Sequence, residues 1–308
     1  MNSKTVIINK IDTLSEAMAY CKQINYVASA DELIIDFSFA TFIRNHYLSI
    51  IGMGLEVVQN RGIKVVIKKP RSQKVLDTLQ KIGFLSKFCE EKDGDDTYRT
   101  MLRYTNIPLE NYDLPLQEFY SYFIAQFTGK IDNLSPKLLN KILQKIFELF
   151  SNVFRHSDSA LGLFCSGQFY PSREKFNFTI VDNGVTIKTN VNRYLSKEFI
   201  KNRSTADKIF GTKYEPKNGV DAIKWALEDK HSTTGEGGLG LSLLMEFITI
   251  SGGSIEIISN DGYYSIKDGR EGFKKLEESF EGTIVSIELN TESDRYYFLK
   301  EEQQDANN

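Results

Sequence analysis

The clearest hydrophobic pattern in the chain lies between residues 137 and 156, where apolar residues recur at steps of three and four. That period places them on one side of an α-helix, which we predict to be buried. Ser135 and Pro136 stand just before the pattern, and these residue types are favoured at the N-cap and at the first helical position. The sequence therefore predicts a long helix that begins at residue 136. Its apolar positions are Leu139, Leu143, Ile146, Phe150, Val153 and Phe154.

Polar residues form a second track on the same predicted helix. Glu148, Asn152 and His156 are four positions apart, so their side chains lie one above another beside the apolar side. Two interpretations remain open at this point. The three side chains either face solvent, or they face a ligand or metal that offsets the cost of burying polar groups.

The first hundred residues alternate between short apolar runs and amphipathic segments, as is typical of a small α/β domain. The predicted strands are 5–9, 33–37 and 64–68, and the predicted helices are 14–28, 46–61 and 72–84. His46, at the start of the second helix, is expected at the surface. The acidic run 88–98 predicts a solvated loop, and a helix rich in aromatic residues is predicted at 118–127.

Two β-rich runs, 160–170 and 175–184, predict an antiparallel pair after the long helix. Asp182 ends the second strand, and Asn183-Gly184 predicts a turn. A carboxylate at a strand end, shielded by apolar neighbours, can accept a hydrogen bond from an exocyclic amino group such as that of adenine. The same three residues also occur in ordinary turns, so the motif alone leaves both interpretations open.

A polar stretch from residue 188 to about residue 234 comes next, with one short helix predicted around Trp225. Connections of this length are often lids or binding elements. The stretch ends in a glycine-rich run directly before an apolar helical pattern, and such a run lets backbone N–H groups and a helix N-terminus approach phosphate oxygens. The sequence therefore predicts a phosphate-binding loop, although its spacing is neither that of a Walker loop nor that of a Rossmann fold. The glycines are Gly235, Gly237, Gly238 and Gly240.

The remaining segments complete a β-rich second half. Residues 254–267 predict a hairpin with its turn at Asp261-Gly262, and residues 282–289 predict a final strand that opens with Gly282-Thr283. Residues 293–308 are polar and predict a tail that is disordered at its end.

Composition narrows the functional classes. The chain has 308 residues, 41% of them apolar, which is enough for about two globular domains. Its net charge is -3 with dispersed basic residues, so nucleic acid is not expected as a partner.

The cysteines Cys21, Cys89 and Cys165 are far apart in sequence and predict reduced thiols rather than a disulfide frame or a zinc site. No apolar run is long enough to span a membrane, so we expect no membrane contact and a cytoplasmic location.

Four motifs taken in order resemble the ATP-binding domain of the GHKL superfamily, which includes gyrase, sensor histidine kinases and the anti-sigma-factor serine kinases. They are Glu148-x3-Asn152-x3-His156, then Asp182-Asn183-Gly184, then the glycine-rich run to Leu241, then Gly282-Thr283. The resemblance covers about residues 130–292 and is greatest for the anti-sigma-factor serine kinases.

The resemblance implies a site for ATP and Mg²⁺. Asn152 would bind Mg²⁺, Glu148 would act as general base, and His156 would steady the helix or the phosphates. Asp182 would hold the adenine amino group with Gly184 beside it. The phosphates would lie against the glycine-rich run, and Thr283 would bind near the base. The implied phosphate-binding residues are Gly235, Gly237, Gly238, Leu239 and Gly240.

The chain departs from the family pattern at two points. Thr186 stands where the family has a second glycine. No catalytic lysine is fixed by a motif, and the candidate basic residues for the phosphates are Arg203, Lys213 and Lys230.

Residues 1–105 resemble a STAS-type domain of the bacterial anti-anti-sigma class, on the segments DELIIDFSFATFI, RGIKVVIKK and VLDTLQKIGF. That family carries a phosphorylated serine after the segment that matches FATFI. This chain has Arg44, Asn45, His46 and Tyr47 there, so regulation by phosphorylation at that point is not implied. The domain is expected to serve in docking or dimerisation.

Together these features predict an α/β protein in which a STAS-like domain (1–107), a linker and helix (108–133), a Bergerat-fold ATP-binding domain (134–292) and a polar tail (293–308) follow one another. The Bergerat fold implies a mixed, largely antiparallel sheet covered by helices. The predicted function is that of an Mg-ATP-dependent ATPase or regulatory switch coupled to the STAS-like domain. Two alternatives stay open: a serine protein kinase that acts on a STAS-like partner, and a nucleotide-gated interaction protein without turnover. A regulatory protein partner or self-association through the STAS-like domain is also expected.

Overall fold

The protein is a mixed α/β protein. The computed structural model describes residues 2–131, 133–202, 213–228, 242–292, 294–299 and 301–302. The strands are β1 (Ser3–Ile7), β2 (Lys10–Ile11), β3 (Glu32–Asp36), β4 (Phe42–Ile43), β5 (Lys64–Lys68), β6 (Met101–Ile107), β7 (Leu163–Tyr170), β8 (Lys175–Asp182), β9 (Ser254–Lys267) and β10 (Arg270–Asn290). The helices are α1 (Leu14–Asn25), α2 (Leu48–Asn60), α3 (Gln73–Lys81), α4 (Phe84–Phe88), α5 (Asp113–Thr128), α6 (Pro136–His156), α7 (Ile187–Lys201), α8 (Gly219–Leu227) and α9 (Ser242–Ser251). Every helix in these ranges is too short or too polar to span a bilayer.

A three-stranded parallel sheet forms the centre of the N-terminal module, by which we mean β1 to α4. Its strand order is β1-β3-β5, and the three predicted strands are confirmed. The strands carry β-branched residues whose side chains pack against α1 and α2. Helix α1 begins at a capping box, in which Thr13 and Glu16 each bond the other's backbone N–H. The N–H groups at the start of α1 thus have partners, while the apolar side of the helix is buried.

A five-stranded sheet with the order β6-β7-β8-β10-β9 forms the centre of the second half, and every neighbouring pair in it is antiparallel. Helices α5, α6 and α9 cover one face. The predicted long helix is confirmed as α6, with the Ser135 hydroxyl accepting a hydrogen bond from the Leu138 N–H at 3.1 Å. Its apolar side meets the sheet in an aromatic core in which Phe123 and Phe150 lie edge to face.

The N-terminal module covers the other face of the five-stranded sheet. Helix α2 and the 3₁₀ turn before it, Asn45–Tyr47, contact β7 and β8. The Ser49 N–H donates to Ser166 Oγ at 2.9 Å, and the Ser49 hydroxyl donates to the Thr179 carbonyl at 3.3 Å. One core cluster therefore runs from the parallel sheet through α2 to Val181 on β8.

The surface position predicted for His46 is wrong, because this contact buries the turn that carries it. His46 is only 3% exposed. Its ring lies 4.1 Å from the Tyr47 ring, and its Nδ1 has no hydrogen-bond partner. Burial lowers the pKa of His46 to about 3.

The sequence prediction places residues 101–107 in the first domain, and in the structure these residues form strand β6. The strand pairs with β7 and so forms an edge of the five-stranded sheet. Gly52 makes this possible, since a Cβ there would lie 2.3 Å from the Tyr104 ring. The Tyr104 hydroxyl donates to Glu56 on α2 at 3.0 Å.

The predicted hairpin at Asp261-Gly262 is wrong. Strand β9 continues through both residues, and the turn to β10 lies at Asp268-Gly269, where φ is positive at both positions. The final strand accordingly begins at Arg270 rather than at Gly282. Asp261-Gly262 stays extended because the start of α8 packs on it: a Cβ on Gly262 would lie 2.5 Å from the Gly219 carbonyl oxygen.

Two further segments have structure that the sequence did not predict. Helix α7 occupies the beginning of the stretch read as a polar connection, because Thr186 caps it and Val191 is buried on one side. The polar tail packs on the core over residues 294–299, where Leu299 is 7% exposed and Tyr297 meets Phe247 edge to face. Residues 303–308 lie outside the described residues.

Candidate functional site

A pocket lies between the C-terminal half of α6, the end of β8, the facing parts of β9 and β10 around Ile257 and Thr283, and the start of α7. The space between its walls amounts to about 580 Å³, counting the part that is open to solvent. Most of the lining is apolar, as is usual for sites that bind small molecules. The lining residues are Leu149, Asn152, Val153, His156, Ser157, Ile180, Asp182, Val185, Ile187, Asn190, Ile257, Thr283 and Val285.

Asp182 lies at the end of β8, on the pocket side of the sheet. Strand alternation places Ile180 and Asp182 on this side, whereas Thr179 and Val181 face the N-terminal module. Asp182 is 3% exposed, and its carboxylate accepts a hydrogen bond from the Gly184 N–H at 2.8 Å. Burial raises the pKa of Asp182 to about 7, and the Gly184 bond lowers it in part. A buried carboxylate of this kind can accept a further donor from a ligand.

Asn152 and His156 line the opposite wall, one helical turn apart on α6. Both side chains are half-buried. Among the described residues no group hydrogen-bonds the Asn152 amide, so its oxygen and nitrogen are available to a ligand or a cation. Burial lowers the pKa of His156, and its backbone carbonyl accepts a hydrogen bond from the Asn190 side chain at 2.6 Å.

Glu148 stands one turn before Asn152 but does not line the pocket. Its Oε2 accepts a hydrogen bond from Lys145 Nζ at 3.0 Å on the same helix. Two of the three residues in the polar track predicted on α6, Asn152 and His156, therefore line the pocket. The carboxylate of the track, Glu148, is engaged in an ion pair beside the pocket instead.

Gly184 and Thr186 shape the chain as it leaves the strand. A Cβ on Gly184 would lie 2.0 Å from the Ser157 carbonyl oxygen, so only glycine lets this turn pack against the end of α6. The Thr186 hydroxyl accepts a hydrogen bond from the Thr189 N–H at 3.2 Å and caps α7. Thr186, at which the resemblance leads one to expect a second glycine, is therefore a helix N-cap.

Ser259 is a site residue for which the sequence offers no signal, since it is one serine within a long strand. Its hydroxyl is fully buried and accepts a hydrogen bond from the Ile187 N–H, the first residue of α7, at 2.9 Å. It donates to the Gly282 carbonyl at 3.1 Å and lies 3.0 Å from the Thr283 hydroxyl. This single side chain joins two walls of the pocket.

The predicted phosphate-binding loop lies outside the described residues, from Gly235 through Leu239 to Gly240, as do Arg203 and Lys230 among the candidate basic residues. Helix α9 begins at Ser242 directly after it. Among the described residues no group of three His, Cys, Asp or Glu side chains is close enough to hold a metal ion. The residues present therefore fit a cation only if a ligand supplies most of its oxygens, as nucleotide phosphates do for Mg²⁺.

The pocket combines an apolar floor, a buried carboxylate, a neighbouring hydroxyl and an amide on the facing helix. This arrangement can hold a flat, mostly apolar group that presents a hydrogen-bond donor to Asp182. A scan against protein-family models finds no match for the chain, and a search of curated proteins finds none either.

Proposed function

We propose that the chain binds Mg-ATP in this pocket and works as an ATP-driven regulatory switch or ATPase, in which a GHKL-type domain of the Bergerat fold is joined to a STAS-like module. The observation that carries the proposal is the buried Asp182 carboxylate at the floor of an apolar pocket, with Thr283 beside it and Asn152 across from it. An adenine amino group can donate to Asp182 while the ring packs between Ile180, Ile257 and Val285. The role of Asp182 is the one that the resemblance implies, whereas the apolar residues are added by the lining of the pocket.

The cation in this proposal is held by one protein oxygen and several phosphate oxygens. Asn152 supplies the amide oxygen, a ligand type that Mg²⁺ accepts. Its amide has no competing hydrogen bond among the described residues. Bound Mg²⁺ would neutralise charge at the phosphates, with Asn152 as the protein group that holds it.

The antiparallel sheet supports the proposed Bergerat domain, and the parallel β1-β3-β5 sheet with its flanking helices supports the STAS-like module. Because α2 packs on the sheet face opposite the pocket, the module has a permanent partner within the chain. This favours an intramolecular switch. The kinase alternative needs a separate STAS-like acceptor, since Ser49, the serine nearest the start of α2, is fully buried.

One observation favours the second candidate, a nucleotide-gated protein without turnover. Glu148 is paired with Lys145 and does not line the pocket. A general base must come within hydrogen-bond reach of the proton that it takes. Turnover therefore requires Glu148 to leave Lys145.

Calorimetry with ATP and Mg²⁺ on the full chain tests the proposal. Asn152→Ala is expected to remove the Mg²⁺-dependent part of the affinity, whereas Asn140→Ala, the same change at an exposed position of α6, is expected to leave it intact. Absence of binding heat for the wild type would refute nucleotide binding. Incubation with γ-labelled ATP then separates free phosphate from labelled protein and from unchanged ATP, which distinguishes ATPase, kinase and non-hydrolysing switch.

A further inference from the structure

The register of the β9–β10 pair breaks beside the pocket. Lys275 pairs with Gly262 and Phe280 pairs with Asn260, so residues 276–279 of β10 stand opposite Asp261 alone. Residues 281 and 282 are also unpaired before Thr283 pairs with Ser259. We call residues 276–282 the β10 bulge. Insertions of this kind bend a strand and redirect its neighbours, and they are frequent next to functional sites.

Asp261, opposite the bulge, joins the two helices α7 and α8 to β9. Its Oδ1 accepts hydrogen bonds from Lys188 Nζ on α7 at 3.1 Å and from the Gly219 N–H at the start of α8 at 3.0 Å. Its Oδ2 lies 3.8 Å from Lys275 Nζ, just before the bulge. The Asp261 side chain is 15% exposed, so its bonds to Lys188 and Gly219 are largely shielded from water, whereas Lys275 is 70% exposed. The position of α7, which lines the pocket, therefore depends on Asp261.

The other end of the bulge lies directly behind the pocket floor. Gly282 has φ +117, and a Cβ there would lie 2.0 Å from the Asp182 carbonyl oxygen. Its own carbonyl accepts the Ser259 hydroxyl, which in turn holds the start of α7. A shift of Gly282 would thus move the two residues that frame the candidate adenine position, Asp182 and Thr283.

The bulge also faces the N-terminal module. Phe280 is 8% exposed and Leu276 is partly buried, and both pack in the core cluster that joins α1 and α2 to the five-stranded sheet. Glu278 forms an ion pair with Lys22 on α1. The bulge is therefore held by the module and, at both ends, by the pocket.

We propose that the N-terminal module regulates the nucleotide pocket through the β10 bulge. A displacement of α1 shifts Leu276 and Phe280, and the bulge passes that shift to Asp261 at one end and to Gly282 at the other. By linkage, a ligand that fixes the pocket also fixes the bulge and α1. The identity of the ligand rests on the proposed function, whereas the link between module and pocket does not.

Amide hydrogen exchange on the full, ligand-free chain tests the link without any nucleotide. Leu276→Ala removes a contact of the bulge, and Val75→Ala is the control: Val75 lies in the same core cluster but on α3, which packs against α4 and β4. We expect Leu276→Ala to raise exchange at least threefold in α7 and α8 and Val75→Ala to leave it within twofold. Equal effects of the two variants, or no effect of Leu276→Ala, would overturn the proposal.

A charge reversal gives a second perturbation that leaves the core intact. Glu278 is 68% exposed, so Glu278→Lys does not threaten folding. We expect it to raise exchange in α7 and to weaken ATP affinity severalfold, and the added change Lys22→Glu to restore both. If the wild type binds no nucleotide, the proposed function fails while the exchange results still decide the link. If nucleotide binds and neither exchange nor affinity responds to any bulge variant, the link fails alone.

Discussion

Asp182 and Thr283 are register partners on β8 and β10. Because side chains directly opposite each other in an antiparallel pair project to the same face, both enter the pocket side by side. The Thr283 hydroxyl is held by Ser259, while the Asp182 carboxylate has, within the described part of the chain, only the Gly184 N–H as a partner. The pair therefore offers a ligand one fixed hydroxyl and one carboxylate with unused acceptor capacity.

The stability of the ligand-free protein is expected to fall as pH rises because of Asp182. Its pKa is about 7 in the folded chain, above the ordinary value of 3.8. Because the folded-state pKa is the higher one, the contribution of the Asp182 carboxyl group to the stability of the folded chain is complete below pH 3.8. It is lost as pH rises towards 7. Asp182→Asn keeps the acceptor for Gly184 and is expected to gain roughly 1–3 kcal/mol over wild type at pH 8 and little at pH 4. Urea unfolding at both pH values measures this. The control Asp268→Asn, in an exposed turn, should show no pH-dependent gain.

Nucleotide binding is expected to release a proton from Asp182. An amino donor favours the carboxylate over the carboxylic acid, so binding near pH 6 to 7 must be accompanied by deprotonation. Calorimetry at pH 6.5 in two buffers of different ionisation enthalpy should give different apparent heats. The affinity should rise between pH 6 and pH 8. Buffer-independent heats in the wild type would contradict a role for the Asp182 carboxylate in binding.

Elements that follow from local patterns could be predicted from the sequence. The helix α6 is one, because its cap, its proline and its apolar period all agree, and the strand β5 is found at its predicted bounds. Failures occurred where tertiary contact decided the outcome. Asp261-Gly262 has the composition of a turn, yet the packing of Gly219 against it keeps β9 extended. His46 has the polarity of a surface residue, yet α2 lies between two sheets.

The candidate site could be predicted for those residues that belong to the four motifs found in order along the sequence. Asn152, His156, Asp182 and Thr283 share one pocket although they come from separate segments. Ser259 and Asn190 could not have been found, because each is an isolated polar residue whose partner is a backbone group distant in sequence. For Glu148 the sequence spacing predicts the position on the helix. It does not predict the ion pair with Lys145, because that contact depends on side-chain conformation.

Replacing Gly184 by alanine is expected to destabilise the fold and to disturb the pocket. The added Cβ would lie 2.0 Å from the Ser157 carbonyl oxygen, so the turn after β8 must move away from α6. Overpacking of this kind costs roughly 1–3 kcal/mol. Gly129→Ala is the matched control, since a Cβ there meets nothing within 4 Å, and it is expected to be neutral or slightly stabilising. Thermal and urea unfolding of both variants measures the difference. Equal stability of the two variants would show that the turn can relax without cost.

Acid is expected to weaken the contact between the N-terminal module and the five-stranded sheet through His46. The folded-state pKa of about 3 lies below the ordinary value of 6.5, so the contribution to stability is complete above 6.5 and is lost as pH falls towards 3. The loss is roughly 2 kcal/mol at pH 5, since each pKa unit corresponds to about 1.4 kcal/mol. His46→Leu removes the titrating ring, and because Nδ1 has no partner, it leaves no hydrogen bond unmade there. Its stability should therefore decline less than that of the wild type between pH 7.5 and pH 5.

His156→Leu, at a half-buried histidine, is expected to change the pH dependence less than His46→Leu does. Parallel unfolding curves for wild type and His46→Leu across this range would show that His46 is not the group that makes the interface sensitive to acid.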